Sequence, residues 1–225
     1  MLGSYAGEPW FVKAERQYHR VMNTRRSSAV ILAGALALTA SSLRGQDVTE
    51  PGSGVKFAAH PGEMSLLGVG LRTKTFLKVK VYAIGLYVAD SALAGPLAGP
   101  KAQPTSPAFY QALVEGDFAK EVRLRFVRDL SAGQIQEAMR EALAQADKAR
   151  VDQFVAYFPA IKSGDECVLR WANGGPLETV MAGQAKGPIA DKAFAQALFG
   201  VWLGPKPIQD DIKAALVARV KELPK

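Results

Sequence analysis

LLGVGLRTKTFLKVKVYAIGLYV, Leu66 to Val88, decides the fold of this chain: it is rich in β-branched and aromatic residues and broken once, near Thr73 to Leu77. It reads as two antiparallel strands, about Met64 to Arg72 and Lys78 to Val88, around a short turn. Gly68 and Gly70 strip the side chain from alternate positions, so a ligand or a packed helix can approach the backbone there. In the second strand, strict alternation puts Lys78, Lys80, Tyr82, Ile84 and Leu86 on one face and Val79, Val81, Ala83, Gly85 and Tyr87 on the other. Arg72 stands in an otherwise apolar wall. An unpaired guanidinium in such a place costs several kcal/mol, so it needs an anion or several carbonyls, and Tyr82 is the nearest hydroxyl that can share an anion with it.

Upstream, Arg20, Arg25 and Arg26 precede an apolar run from Ala29 to Ala40 that ends in Ala40-Ser41-Ser42. A basic flank, an apolar run too short to span a bilayer and a small-residue end are the pattern of a secretory signal peptide. Its start is placed at Met22 and its cleavage between Ser42 and Gly45. Arg25-Arg26 also admits a twin-arginine reading, although Ser-Ser-Ala follows in place of a bulky pair. Residues 1–45 are therefore set apart from a domain at 46–225, and a periplasmic location is expected. These 45 residues hold six of the 28 basic and two of the 21 acidic side chains, so the remainder carries 22 against 19, a net +3 instead of +7. That balance describes an ordinary surface and gives no footprint for nucleic acid. The alternating Val122-Arg-Leu-Arg-Phe-Val-Arg128 reads as a sheet with one solvated face.

Cys167 is the single cysteine, and His60 is the single histidine beyond the leader. No internal disulfide, Ser/His/Asp or Cys/His catalytic set, or multi-histidine metal site can be assembled from them, and no cofactor motif is present. Cys167 is expected to be a small buried apolar residue.

Further strands are expected near Val55 to Ala58, Glu121 to Arg128, around Val168, and at Glu178 to Ala182 beyond an Asn173-Gly174-Gly175 turn. Gly95 to Pro107, with four prolines, reads as a loop, and Phe109 to Phe118 is open between helix and strand. Ser131 followed by Gln134 is a capping-box pattern for a helix running to about Ala146. Other helices are placed from Lys148 to Pro159, from Asp191 to Val201 and from Gln209 to Glu222. Hairpins first, with helices between and after them, describe an α+β domain whose antiparallel sheet is covered on one face by helices, and the cleft between the layers suits a hydrophobic ligand.

Several spaced motifs in order carry a family resemblance. Gly68-x-Gly70-x-Arg72, Val81-Tyr-Ala-Ile-Gly-Leu-Tyr-Val88, Phe126-Val-Arg-Asp-Leu-Ser131, Asp152-Gln-Phe154, Lys162-Ser-Gly-Asp165 and Trp202-Leu-Gly-Pro-Lys-Pro207 together resemble the bacterial chalcone isomerase-like proteins. The resemblance implies an open-faced β-sandwich with the ligand between sheet and helices. Plant enzymes of that superfamily close a chalcone into a flavanone with an arginine that Arg72 matches, helped by threonine, tyrosine and asparagine side chains. Tyr82 stands at the threonine position, and Ile135 and Ala142 at the positions of the tyrosine and asparagine. An arginine and a tyrosine in these two strands instead resemble the fatty-acid-binding members, in which the pair holds a carboxylate. The ligand set so implied is Arg72, Tyr82, Ile84, Ile135 and Ala142.

Three readings follow. The first is an exported, non-catalytic binder of a fatty acid or similar amphipathic carboxylate, with guanidinium and phenol holding the headgroup. At about 0.8 kcal/mol per buried methylene, a chain reaches micromolar affinity without chemistry. The second is an isomerase acting on a chalcone-like or enone substrate, with Arg72 and Tyr82 as catalytic groups. The third is a structural or interaction protein whose Arg72 pairs with a core carboxylate such as Asp129 or Asp165. Tyr87, Tyr110, Trp171 and Trp202 read as packing.

Overall fold

The computed structural model describes residues 46–74 and 77–223; the leader pattern, its cleavage site and the 45/46 boundary lie outside the described residues. The strands are β1 (Asp47–Thr49), β2 (Lys56–Ala58), β3 (Met64–Lys74), β4 (Val79–Ala89), β5 (Lys120–Phe126), β6 (Glu166–Trp171), β7 (Leu177–Met181) and β8 (Gln184–Ala185). The helices are α1 (Asp90–Ala94), α2 (Pro107–Glu115), α3 (Ala132–Ala142), α4 (Lys148–Val155), α5 (Lys192–Leu203) and α6 (Asp210–Ala215), with single 3-10 turns at Pro100–Ala102 and Val220–Glu222. β3 to β8 form one antiparallel sheet in sequence order, and β1 pairs with β2 in a separate hairpin. The expected α+β class and the helix-covered sheet are both present.

Side-chain period two divides the sheet's residues between its faces. Ile84, Leu86, Val122, Leu124, Phe126, Cys167 and Leu169 face the helices and form the main core with Phe154, Phe194, Leu198 and Trp202. On the opposite face Phe57, from the β1–β2 hairpin, covers Leu66, Ala83 and Tyr87 in a smaller cluster. β1 was not among the expected strands, because three residues of mixed polarity carry no usable period. α2 resolves the ambiguous Phe109 segment: Pro107 sits in its first turn and the Ser106 hydroxyl accepts from the Phe109 amide. The Ser131 and Gln134 side chains make both capping-box bonds at the start of α3. The final helix is shorter than the sequence suggested, since α6 ends at Ala215 and the chain continues in turns to Glu222.

β3 is an edge strand, and the C-terminal segment occupies its free side. The Arg219 amide donates to the Leu67 carbonyl at 2.9 Å, and Arg219 Nη1 to the Leu66 carbonyl at 2.9 Å. Gln209 sends Nε2 to the Leu71 carbonyl and accepts the Thr73 amide on Oε1 at 3.0 Å. These bonds satisfy groups that would otherwise invite edge pairing.

The open face carries Glu121, Arg123, Arg125, Glu166 and Arg170 on neighbouring strands, and Glu121 is fully buried among them. Arg123 and Arg170 both bond Glu121, and Arg125 bonds Glu166, so the alternating basic strand is engaged with carboxylates.

On the helix face, Lys120 is buried and donates to the carbonyls of Leu113, Val114 and Gly116 at 2.7, 2.8 and 3.0 Å, closing the C-terminal end of α2. Burial pulls its pKa down from 10.5 to about 8. Between those values the unfolded chain binds more protons than the folded one, so this side chain's contribution to stability rises with pH. Wild type is expected to gain about 1–2 kcal/mol relative to Lys120→Met between pH 7.5 and 9.5, read as the difference in urea-unfolding free energies. A difference independent of pH would refute the depressed pKa.

Candidate functional site

The site begins with a register fact. Arg72 and Tyr82 are direct partners across β3 and β4, so their side chains leave the sheet on the same face as neighbours. The next pairing is Thr73 with Lys80, which leaves Val81 without a partner of its own. A bulge of this kind puts two residues of one strand opposite one of the other and re-aims a side chain. Strict alternation in β4 therefore fails at this point. Val79 and Val81 line the same cleft as Tyr82, while the Lys80 ammonium donates to the Gly52 carbonyl at 2.6 Å. The sequence-based faces hold only from Tyr82 onward.

Above this pair lies a cleft of about 670 Å³ between the sheet and α3, closed on a further side by α5 and the segment leading to α6. The volume is within the usual range for a small-molecule site. Its apolar wall includes Val81, Ile135, Met139, Ala142, Val201 and Ile208. Lys74, Arg128, Lys206, Glu137 and Glu141 also line it, and all five are exposed. Arg72, Tyr82, Ile135 and Ala142 all line this one cleft. Ile84 is not among the cleft residues: it is completely buried in the main core, two residues deeper along the same face.

Arg72 Nη1 donates to the Thr73 carbonyl at 2.7 Å and to Gln209 Oε1 at 3.0 Å. Among the described residues no carboxylate lies within 4.0 Å of it, and neither Nε nor Nη2 has a protein partner. The proposed pairing with Asp129 or Asp165 is absent: Asp129 binds Lys162 and the Ser163 amide, and Asp165 accepts the Lys162 amide. Gln209 thus holds one corner of the guanidinium against the strand edge and leaves the rest of the fork available. Nothing in the spacing of Gln209 announced this, since the bond spans 137 positions.

Tyr82 is 5 % exposed, stacks edge-on against Phe126 at 5.8 Å, and accepts the Trp202 indole N–H at 3.0 Å. Burial pushes the phenol's pKa upward, against smaller lowering effects from the Trp202 bond and Arg72. The group is a neutral phenol at physiological pH. Its oxygen accepts from Trp202, so its own O–H keeps its donor capacity, and the residue lines the cleft. Trp202, read from the sequence as packing alone, is thereby a positioning residue for Tyr82. The remaining tyrosines lie elsewhere: Tyr87 is buried on the opposite face beneath Arg123, and Tyr110 donates to the Lys213 carbonyl at 3.3 Å.

Chemically, the arrangement is a free guanidinium edge and a phenol donor side by side at the polar end of an apolar cleft. It suits a carboxylate with a hydrocarbon tail. Among the described residues no group of three or more His, Cys, Asp or Glu is placed to hold a metal ion. Cys167 is buried outside the cleft, and its thiol pKa is pushed up by burial.

Comparison with known proteins bears on the family and the fold. The family model described as "Chalcone isomerase-like" matches residues 53–218. The chain is 25% identical over 199 residues to "Fatty-acid-binding protein 2" of Arabidopsis thaliana, covering 76% of this chain and 50% of that protein. It therefore spans about half the length of the curated relative it matches. Among solved structures, the crystal structure of an Arabidopsis thaliana fatty-acid binding protein superposes with a TM-score of 0.69 at 21% identity, covering 78% of this chain and 97% of that one.

Proposed function

The chain belongs to the chalcone isomerase-like family, and on that premise we propose that it is a non-catalytic binder of a long-chain fatty acid or similar amphipathic carboxylate. The observation that carries this reading is the Arg72–Tyr82 pair, cross-strand neighbours that both line an apolar cleft, with guanidinium N–H groups that no carboxylate among the described residues engages. The names of the relatives, both fatty-acid-binding proteins, support it. The carboxylate bridges Arg72 and Tyr82, and the tail lies against Val81, Ile135, Met139 and Ala142. Displacement of a fluorescent fatty acid tests it. Arg72→Ala is expected to weaken binding about 10- to 100-fold, the value of one or two charge-assisted hydrogen bonds. Unchanged affinity in that variant would overturn the reading.

The second reading, an isomerase, draws on Tyr82 being a neutral acid beside a cation, an arrangement able to protonate an enolate that Arg72 stabilises. Ile135 and Ala142 give that chemistry no polar help. Cyclisation of a chalcone above its uncatalysed rate, lost in Tyr82→Phe, would favour the enzyme over the binder. Export through the Met22 leader, with cleavage between Ser42 and Gly45, is part of the same proposal, and the mass of the protein recovered from the periplasm tests it.

A further inference from the structure

Among the described residues, only one large apolar side chain stands well out in water: Leu77, 70% exposed at the tip of the β3–β4 hairpin. A lone surface leucine needs no explanation. The setting of this one is unusual. Lys74 ends β3, Lys78 follows Leu77, Lys80 comes two residues later, and all three are exposed. None of the three forms an ion pair among the described residues. No carboxylate occurs anywhere between Leu66 and Val88. Lys78 adopts a φ of +50°, a left-handed turn conformation that is uncommon for a side chain of its size. The tip is also continuous with the cleft: Lys74 and Val79, on either side of the turn, line it, as do the exposed cations Arg128 and Lys206.

We propose that the β3–β4 hairpin tip docks on an anionic lipid bilayer, with Leu77 entering the interface, Lys74 and Lys78 among the headgroups, and the cleft mouth brought to the membrane surface. An apolar tip flanked by Lys74 and Lys78, whose ammonium groups have no partner among the described residues, matches the chemistry of that surface, where each lysine contributes about 1 kcal/mol of attraction and the effect falls as salt screens it. The wall of the cleft formed by α3 carries Glu137 and Glu141, so the attraction is concentrated on the hairpin and on Arg128 and Lys206. The proposal deepens the fatty-acid reading by naming where the ligand is exchanged. It rests on that reading for its purpose alone, and its test is read with no fatty acid present.

The full chain is sedimented with phosphatidylcholine vesicles containing about one third phosphatidylglycerol, and with pure phosphatidylcholine vesicles. Pelleting with the anionic vesicles is expected, weakening with added salt, and about fivefold weaker in Leu77→Ser and in Lys78→Gln. Every chain tested carries the same first 45 residues, so the difference between variants isolates the tip. Leu77→Cys labelled with an environment-sensitive dye should shift its emission to the blue on the anionic vesicles, Cys167 being buried. Wild type that stays in the supernatant, or variants that pellet as wild type does, would overturn the proposal. A dimer in light scattering that Leu77→Ser dissolves would give the tip to a second copy and overturn it equally. If vesicle binding follows the tip while fatty-acid displacement fails, the ligand reading falls and the docking surface stands.

Discussion

Gly68→Ala is expected to destabilise the fold by about 3 kcal/mol or more, lowering Tm by roughly 6–12 °C. A Cβ built on Gly68 would run into the Ala215 carbonyl oxygen and lie 2.7 Å from the Leu216 carbonyl carbon. Both are backbone atoms, so no rotamer change relieves the clash. Moving the C-terminal segment away would stretch the bonds from Arg219 to Leu66 and Leu67 and from Gln209 to the β3 edge. Because Gln209 also holds Arg72, ligand affinity should fall with stability. Gly70→Ala is the control: its Cβ would meet Ala215 and Ile212 at 3.6 Å, ordinary contact distance, and a small effect is expected. Thermal unfolding of the two variants side by side decides the matter, and equal Tm values would show that the segment does not pack as tightly as described.

The second large effect concerns the open face. Glu121→Ala is expected to lower stability by about 3 kcal/mol, the lower end of the cost of breaking a buried ion pair, because the two arginines it abandons retain some access to solvent. The Glu121 side chain is completely buried, whereas those of Arg123 and Arg170 are 25% and 33% exposed. Arg170→Ala should cost distinctly less, since Arg123 still neutralises the carboxylate. Urea unfolding measures both. A Glu121→Ala loss no larger than that of Arg170→Ala would mean the carboxylate is not the centre of the network.

The architecture was legible because local chemistry and global fold agree along most of the chain. The β-branched run of β4, the Ser131–Gln134 box and the glycines of β3 each act within a few residues, so composition alone placed them. The Gly68 and Gly70 reading left open whether a ligand or a packed helix approaches, and the structure answers with α6 and the first residue after it. What escaped the sequence depends on register and distance. The bulge at Val81 comes from how β3 pairs with β4, and a one-residue irregularity reverses the faces of Lys78 to Val81 without leaving a mark on composition. Gln209 and Trp202 reach the site from 137 and 120 positions away, and a glutamine before Asp210-Asp211 resembles any other helix start. Ile84 shows the converse error: sharing a face with Tyr82 gave it the right direction, but the depth that separates core from cleft is set by the helices above it.

The central claim is that Arg72, with Tyr82, holds a carboxylate. The most direct test compares a long-chain fatty acid with its methyl ester, in wild type and in Arg72→Ala. The tails are the same, so burial of methylenes cancels and the headgroup alone is read. Wild type is expected to prefer the acid at least about tenfold, the worth of a charge-assisted hydrogen bond, and Arg72→Ala should bind acid and ester alike. Equal affinity for acid and ester in wild type would contradict the account, leaving a greasy cleft without a carboxylate anchor.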